Sequence, residues 1–403
     1  MLFEPDRHEA LEDVAWDESR AREAIRSIVG DIEENGRGGC LWPMHPLDDE
    51  GDSPRGGCSS LYLGSAGVLW ALWQLQREGA VELRGDPVEG IRNADTVYPR
   101  QPDTGEVVPS YFLGESGILL ALWRLTGARA AADRLYASVR SNVQNPTNEA
   151  LWGAPGTMLA AWHLWKQTGE SRWHDLFVEN ADAVWSTWHF DERAGCHVWT
   201  QALYGRLVQY LGAGHGFAGN VYPLLKGAAL LDAPRREALY DRCLATLRAT
   251  AQREGDAINW RPGFFDPRPG GARMLMQWCH GAPGMVTAIA DFPPQRSAEL
   301  DAMLVAAGNA IWRAGPLVKG YGLCHGTAGN GYAFLKLFRR TGDRVWLDRA
   351  RSFAMHALGQ LDRMRARFGQ GRYTLWTGDP GLAVYAWRCV RGGAELPALD
   401  ALS

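Results

Sequence analysis

The chain has no surplus of positive charge. Its 42 Lys and Arg stand against 46 Asp and Glu, the net charge is −4, and no basic run interrupts the balance. That removes the electrostatic footprint of a nucleic-acid or anionic-membrane binder. Long apolar runs are missing too. Stretches such as Gly117-Ile-Leu-Leu-Ala-Leu-Trp123 are too short to span a bilayer, so no transmembrane segment is expected. The opening residues Met1-Leu-Phe-Glu-Pro-Asp lack a basic segment followed by an apolar one, so no signal peptide is expected, and Leu2 excludes N-myristoylation. Cysteine is scarce and odd in number, seven in 403 residues. That argues against a disulfide framework and for reduced thiols in a cytoplasmic protein. Strand signals are few, with one short candidate around Ala194-Gly-Cys-His-Val-Trp-Thr200.

Glycine, by contrast, is abundant and ordered. Seven Gly-x-x-Gly tetrads begin at Gly64, Gly114, Gly153, Gly216, Gly281, Gly326 and Gly378, with 39 to 65 residues between successive first glycines. A fixed motif at such intervals marks a repeat architecture and overrides the length-based expectation of two or three domains. An apolar, helix-like stretch follows each tetrad, as in Val68-Leu-Trp-Ala-Leu-Trp-Gln-Leu75. Three of these stop at Thr-Gly pairs (Thr126-Gly127, Thr168-Gly169, Thr341-Gly342), the usual left-handed helix stop. An amphipathic segment then follows, so each unit reads as buried helix, turn, half-exposed helix. Seven such hairpins close into an all-α, double-layered α/α toroid of 14 helices, with the tetrads at the N-termini of the inner helices. The expected division is a toroid over residues 61–403, with residues 1–60 supplying a helix from about Trp16 to Ile32 and a Gly/Pro-rich loop packed on it. Amides at the seven inner-helix N-termini are expected to face the mouth of the ring and favour anions there.

The tetrads carry chemistry in register. Cys279 and Cys324 each sit two residues before a first glycine, and His215, His280 and His325 each sit one before. Histidine fills three of seven equivalent slots, where chance would give about 0.2 in such a repeat. Equivalent positions in stacked repeats lie at one level, so these side chains should converge. Cys279, Cys324 and His325 make a two-sulfur, one-nitrogen zinc set that leaves the fourth tetrahedral position open, the catalytic arrangement. The alternative is two ordinary buried thiols. His215 is a candidate proton donor facing the metal, or else a satisfied core histidine. His280 is a candidate for orienting substrate or donating a proton, or for supporting its neighbouring ligand.

Other features carry less. Gly214-His-Gly-Phe-Ala-Gly219 matches a dinucleotide fingerprint with Asp232 downstream, but no βαβ context surrounds it. The Cys196-His197 pair precedes no tetrad. Cys40 and Cys58, in the N-terminal loop, read as exposed unpaired thiols or a second metal site. Cys243 and Cys389 read as packing residues, and the 18 tryptophans as core. Ring-shaped α/α folds also suit glycan-processing enzymes, for which Glu115 and Asp379 are the candidate paired carboxylates.

Trp278-Cys-His-Gly-Ala-Pro-Gly284, Gly320-Tyr-Gly-Leu-Cys-His-Gly-Thr-Ala-Gly-Asn330 and Gly212-Ala-Gly-His-Gly-Phe-Ala-Gly219 together resemble the lanthionine synthetase C-like family. The resemblance extends over all seven tetrads. It implies a seven-hairpin toroid with one zinc held by Cys279, Cys324 and His325, and His215 as acid-base residue. The activity it implies is addition of a thiol to dehydroalanine or dehydrobutyrine, giving a thioether. The substrate would be a dehydrated peptide or protein, prepared by a separate dehydratase or kinase-type enzyme. Around residues 320–338 the chain is closer to eukaryotic-type members, in which the thiol is glutathione, and Lys319 matches their glutathione-contacting lysine. Bacterial peptide cyclases instead use a cysteine of the same peptide. They carry an aspartate four residues before the second tetrad, where this chain has Ser110, which puts ring formation in doubt. A zinc- or glutathione-binding protein without catalysis is the third reading.

Overall fold

Why the tetrads need glycine is a matter of backbone contact. In the computed structural model, which describes residues 1–38, 40–49, 51, 56–264 and 273–400, a Cβ added to Gly67 would stand 2.2 Å from the Leu61 carbonyl oxygen. One added to Gly329 would stand 1.8 Å from that of Leu323. In all seven tetrads the second glycine meets the carbonyl six residues upstream in this way. The loop before each inner helix therefore folds back over the helix's first turn, and only a hydrogen can occupy the contact. The same fold-back corrects the expectation about the amides. In five repeats the first-turn amide donates to the carbonyl seven residues upstream, for instance Glu115 to Val108 at 2.9 Å and Thr327 to Gly320 at 2.8 Å. These donors are spent on the loop and do not open onto the mouth.

Fourteen helices, numbered in chain order, are found among the described residues. The inner layer is α2 (Ser65–Arg77), α4 (Glu115–Thr126), α6 (Ala154–Thr168), α8 (Phe217–Lys226), α10 (Ala282–Ile289), α12 (Thr327–Thr341) and α14 (Asp379–Arg391). Each packs against the next, and α14 packs against α2, which closes the ring. These helices are apolar nearly all round because they are covered nearly all round; every residue of α10 is buried. The outer layer contains α3 (Pro87–Val97), α5 (Arg129–Ser141), α7 (Ser171–Ser186), α9 (Ala233–Thr250), α11 (Ala298–Ala314) and α13 (Arg344–Phe368). Its seventh place, against α14 and α13, is taken by α1 (Glu18–Asn35), which buries Ile25, Ile28, Val29 and Ile32. Asp17 caps α1 by accepting from the Arg20 amide at 3.0 Å.

The Thr-Gly stops are as expected. Gly127, Gly169 and Gly342 have φ of 66°, 68° and 72°. Each preceding threonine donates its hydroxyl to the carbonyl four residues back and accepts the amide two residues on. The strand candidate is also present, as β1 (His189–Asp191) paired with β2 (Cys196–Val198). Two further hairpins were not foreseen: β3 (Gln201–Leu203) with β4 (Arg206–Val208), and β5 (Ala251–Glu254) with β6 (Ala257–Trp260).

Inside the ring, Phe112, Trp278 and Trp376 form an aromatic floor, with Trp278 and Trp376 centroids 4.6 Å apart. Below it a cavity of about 20 Å³ is closed by Leu396, Leu399 and Asp400. Asp400 is buried between Lys226 and Lys336 and accepts from the Tyr222 hydroxyl at 2.6 Å. No helix among the described residues is long and apolar enough to cross a membrane.

Candidate metal centre

The residues two before each tetrad are stitched to one another across the repeats. Tyr62 donates its amide to Phe112 (2.9 Å), Trp376 to Tyr62 (3.4 Å), Cys324 to Trp376 (2.8 Å), Cys279 to Cys324 (3.0 Å) and Gly214 to Cys279 (3.2 Å). This collar of backbone hydrogen bonds sets the two cysteines side by side. The ligand atoms of Cys279, Cys324 and His325 lie within 4.8 Å of one another, with both thiols buried and the imidazole partly exposed. Tetrahedral Zn²⁺ with Zn–S bonds of about 2.3 Å needs donor atoms about 3.4–3.8 Å apart. The geometry and the donor chemistry therefore fit such an ion.

Electrostatics supports the same fit. The Cys279 thiol is held well below its ordinary pKa, first by the hydrogen bond from Cys324, with His325 and His280 adding and burial opposing. Cys324 is pushed well above its ordinary value by its contact with Cys279 and by burial, while Tyr62 and the charge of Lys319 pull the other way. Two buried sulfurs sharing one proton are each poorly placed alone, and a divalent cation between them removes that conflict. Gln277 donates Nε2–H to Cys279 Sγ at 3.0 Å, and its Oε1 accepts from Arg7 at 3.1 Å. Lys319 is exposed on the loop between α11 and α12.

His215 and His280 face each other beside this cluster, ring centroids 6.0 Å apart, with the Tyr210 ring 5.3 Å from His280. The His215 Nδ1 lies 2.8 Å from Glu149 Oε2. A carboxylate only accepts, so Nδ1 carries the proton and Nε2 is the atom left for chemistry. Burial opposes charge on His215, but Glu149, with help from Cys279, raises its pKa above the ordinary histidine value. Glu149 is fully buried and accepts from the amides of Leu151 (2.9 Å) and Trp152 (2.6 Å) as well.

Several sequence candidates fall elsewhere. Cys40 and Cys58 are 6% and 5% exposed, so the reading of exposed thiols is wrong: the N-terminal loop folds down onto the ring and covers them. Among the described residues, Cys279, Cys324 and His325 are the one three-ligand group, and neither Cys40 nor Cys58 belongs to it. Cys196 is packed with Ala194 and Val198 in a separate small cluster, and Cys243 and Cys389 are in the core. Glu115 pairs with Arg134. Asp379 is buried against Tyr321 and Arg365, so neither acid is available as a catalytic carboxylate. Ser110 is buried, donating to the Leu151 carbonyl at 2.6 Å. The carboxylate beside His215 comes from Glu149, four residues before the third tetrad.

The profile of the lanthionine synthetase C-like family matches residues 58–389. The chain belongs to this family. Among curated proteins, it is 37% identical over 151 residues to "Glutathione S-transferase LANCL1" of Danio rerio, covering 36% of this chain and 35% of that protein. It is 35% identical over 182 residues to "LanC-like protein GCL1" of Arabidopsis thaliana, covering 43% and 39%. The matches thus span little more than a third of either relative. Among solved structures, nisin cyclase superposes with a TM-score of 0.65 at 13% identity, over 92% of this chain and 94% of the other, which shows a shared fold. In this lanthionine synthetase C-like chain, sequence reasoning missed Glu149 and Gln277. Both occupy the slot four before a tetrad, otherwise Ser60, Ser110, Gly212, Gly322 and Thr374. Glu149 is the one charged residue in that slot, which is the signal that would have found it.

Proposed function

We propose that the protein is a zinc-dependent enzyme that adds a thiol, with glutathione favoured, to dehydroalanine or dehydrobutyrine residues of a peptide or protein. The observation that carries this is the convergence of Cys279, Cys324 and His325 opposite a histidine held by a buried carboxylate. Zinc, when bound, would hold the incoming thiol as its thiolate at the open position. The chain's own residues do the rest. The collar and the Gln277 amide fix Cys279 and Cys324, so the ligand set needs little rearrangement. The new C–S bond forms at the β-carbon, and the electron pair of the C=C bond moves toward the α-carbon and its carbonyl. His215, protonated and oriented by Glu149, delivers the Nε2 proton to the α-carbon, so that a thiol S–H has added across the double bond. His280, whose ring faces His215, would orient the carbonyl or share the proton transfer. Lys319, at the rim, supplies a positive charge suited to a carboxylate of glutathione. A separate dehydratase or kinase-type enzyme would prepare the substrate, and both steps belong in the cytoplasm.

The test uses two dehydroalanine peptides, one with a cysteine and one without, incubated with and without glutathione and read by mass spectrometry. The expected product is the cysteine-free peptide heavier by one glutathione. Cyclisation of the other peptide without added thiol would assign the internal-cysteine reaction instead. Cys279→Ala should reduce bound zinc from about one equivalent to near zero, with activity lost in parallel. Full activity in a zinc-free variant would refute the proposal.

A further inference from the structure

The β3–β4 hairpin turns on Tyr204-Gly205, with φ of 51° and 73°. A two-residue turn with both centres left-handed is normally made by Asn-Gly. A bulky side chain at the first centre costs about 1 kcal/mol or more. Tyr204 is 72% exposed in spite of its bulk, and Leu207 is 76% exposed. A bulky, exposed aromatic held in a left-handed turn points to function. The ring of Tyr204 stands edge-on to His215, centroids 6.3 Å apart, and its hydroxyl accepts from Trp152 Nε1 at 3.4 Å. Trp152 and His215 occupy the same slot, one before the third and fourth tetrads. The hairpin tip thus leans over the mouth and makes an aromatic rim of Trp152 and Tyr204 on the His215 side.

Building on the peptide-modifying reading above, we infer that Tyr204 is a specificity-determining residue that grips an apolar side chain flanking the dehydrated residue of a peptide substrate. With its dehydroalanine near His215, the neighbouring residue of an extended peptide reaches about 3.4 Å further along and falls against this rim. An aromatic wall favours a planar or branched apolar neighbour over glycine there.

Two fluorescent dehydroalanine peptides, one with Leu beside the dehydrated residue and one with Gly, test this by anisotropy with the zinc-loaded protein. The expected result is about ten-fold tighter binding of the Leu peptide by the natural protein, a preference lost in Tyr204→Asn and kept in Tyr204→Phe. Equal affinities in the natural protein, or a preference that survives Tyr204→Asn, would overturn the inference. Because Asn suits the turn, Tyr204→Asn should also melt no lower than the natural protein; a lower melting temperature would overturn the strain argument. If the binding preference holds but the natural protein adds no thiol to either peptide, the proposed reaction fails while the grip stands.

Discussion

At the scale of single residues, the site depends on one buried carboxylate. Glu149 holds His215 in one tautomer and raises its pKa. If protonated His215 is the proton donor, activity must fall as pH rises through that pKa. Replacing Glu149 by Gln removes the charge that favours the imidazolium, so the alkaline fall should begin at lower pH. The maximal rate should drop about ten-fold or more, as for other orienting partners. A kcat/KM profile against pH checks both, and an unchanged alkaline limb would remove Glu149 from the mechanism. The convergence of Cys279, Cys324 and His325 was legible because the cysteines sit two residues, and the histidine one residue, before a tetrad. The pairing of Glu149 with His215 was not, because a carboxylate in one repeat acts on a histidine in the next and no local spacing links them; only the charge of Glu149 in its slot marks it.

At the scale of elements, the two kinds of glycine differ in what they protect. Gly127 ends α4 with φ of 66°, and a Cβ there would meet nothing within 4 Å. Gly127→Ala should therefore cost only the left-handed penalty, about 1 kcal/mol. A Cβ on Gly329 would meet the Leu323 carbonyl oxygen at 1.8 Å, and backbone cannot rotate away. Gly329→Ala should cost about 3 kcal/mol or more and displace the loop that carries Cys324 and His325. Urea denaturation gives the first comparison and zinc titration the second; equal losses in both variants would contradict this account. Helix stops and the inner-helix pattern were readable because side chains and glycines mark them. The amides spent on upstream carbonyls were not, because a backbone–backbone contact seven residues apart leaves no side-chain signature.

At the scale of the whole molecule, a buried histidine near the cavity under the aromatic floor contributes to the response to acid. The repeat order was readable, but not that α1 completes the outer layer against α14, since a ring's sequence does not say which end supplies the last wall. His163, in α6 near the buried Lys226 and Asp400, is pushed down to about 3 by burial and by the Lys226 charge. It is neutral in the fold, whereas the unfolded chain takes up a proton near pH 6.5. Its contribution is full above about pH 6.5 and is lost as pH falls from there toward 3. His163→Gln should flatten the decline of stability in that window, measured as urea midpoints at stepped pH; an unaltered slope would show that other groups dominate. The backbone collar has its own consequence. It runs from Phe112 through Tyr62, Trp376, Cys324 and Cys279 to Gly214, but at the third repeat the Leu151 amide turns to Glu149 instead. A split washer yields at its slit, so a bulky guest would spread the aperture beside Glu149 while the spacing of the two sulfurs on the continuous arc stays unaltered.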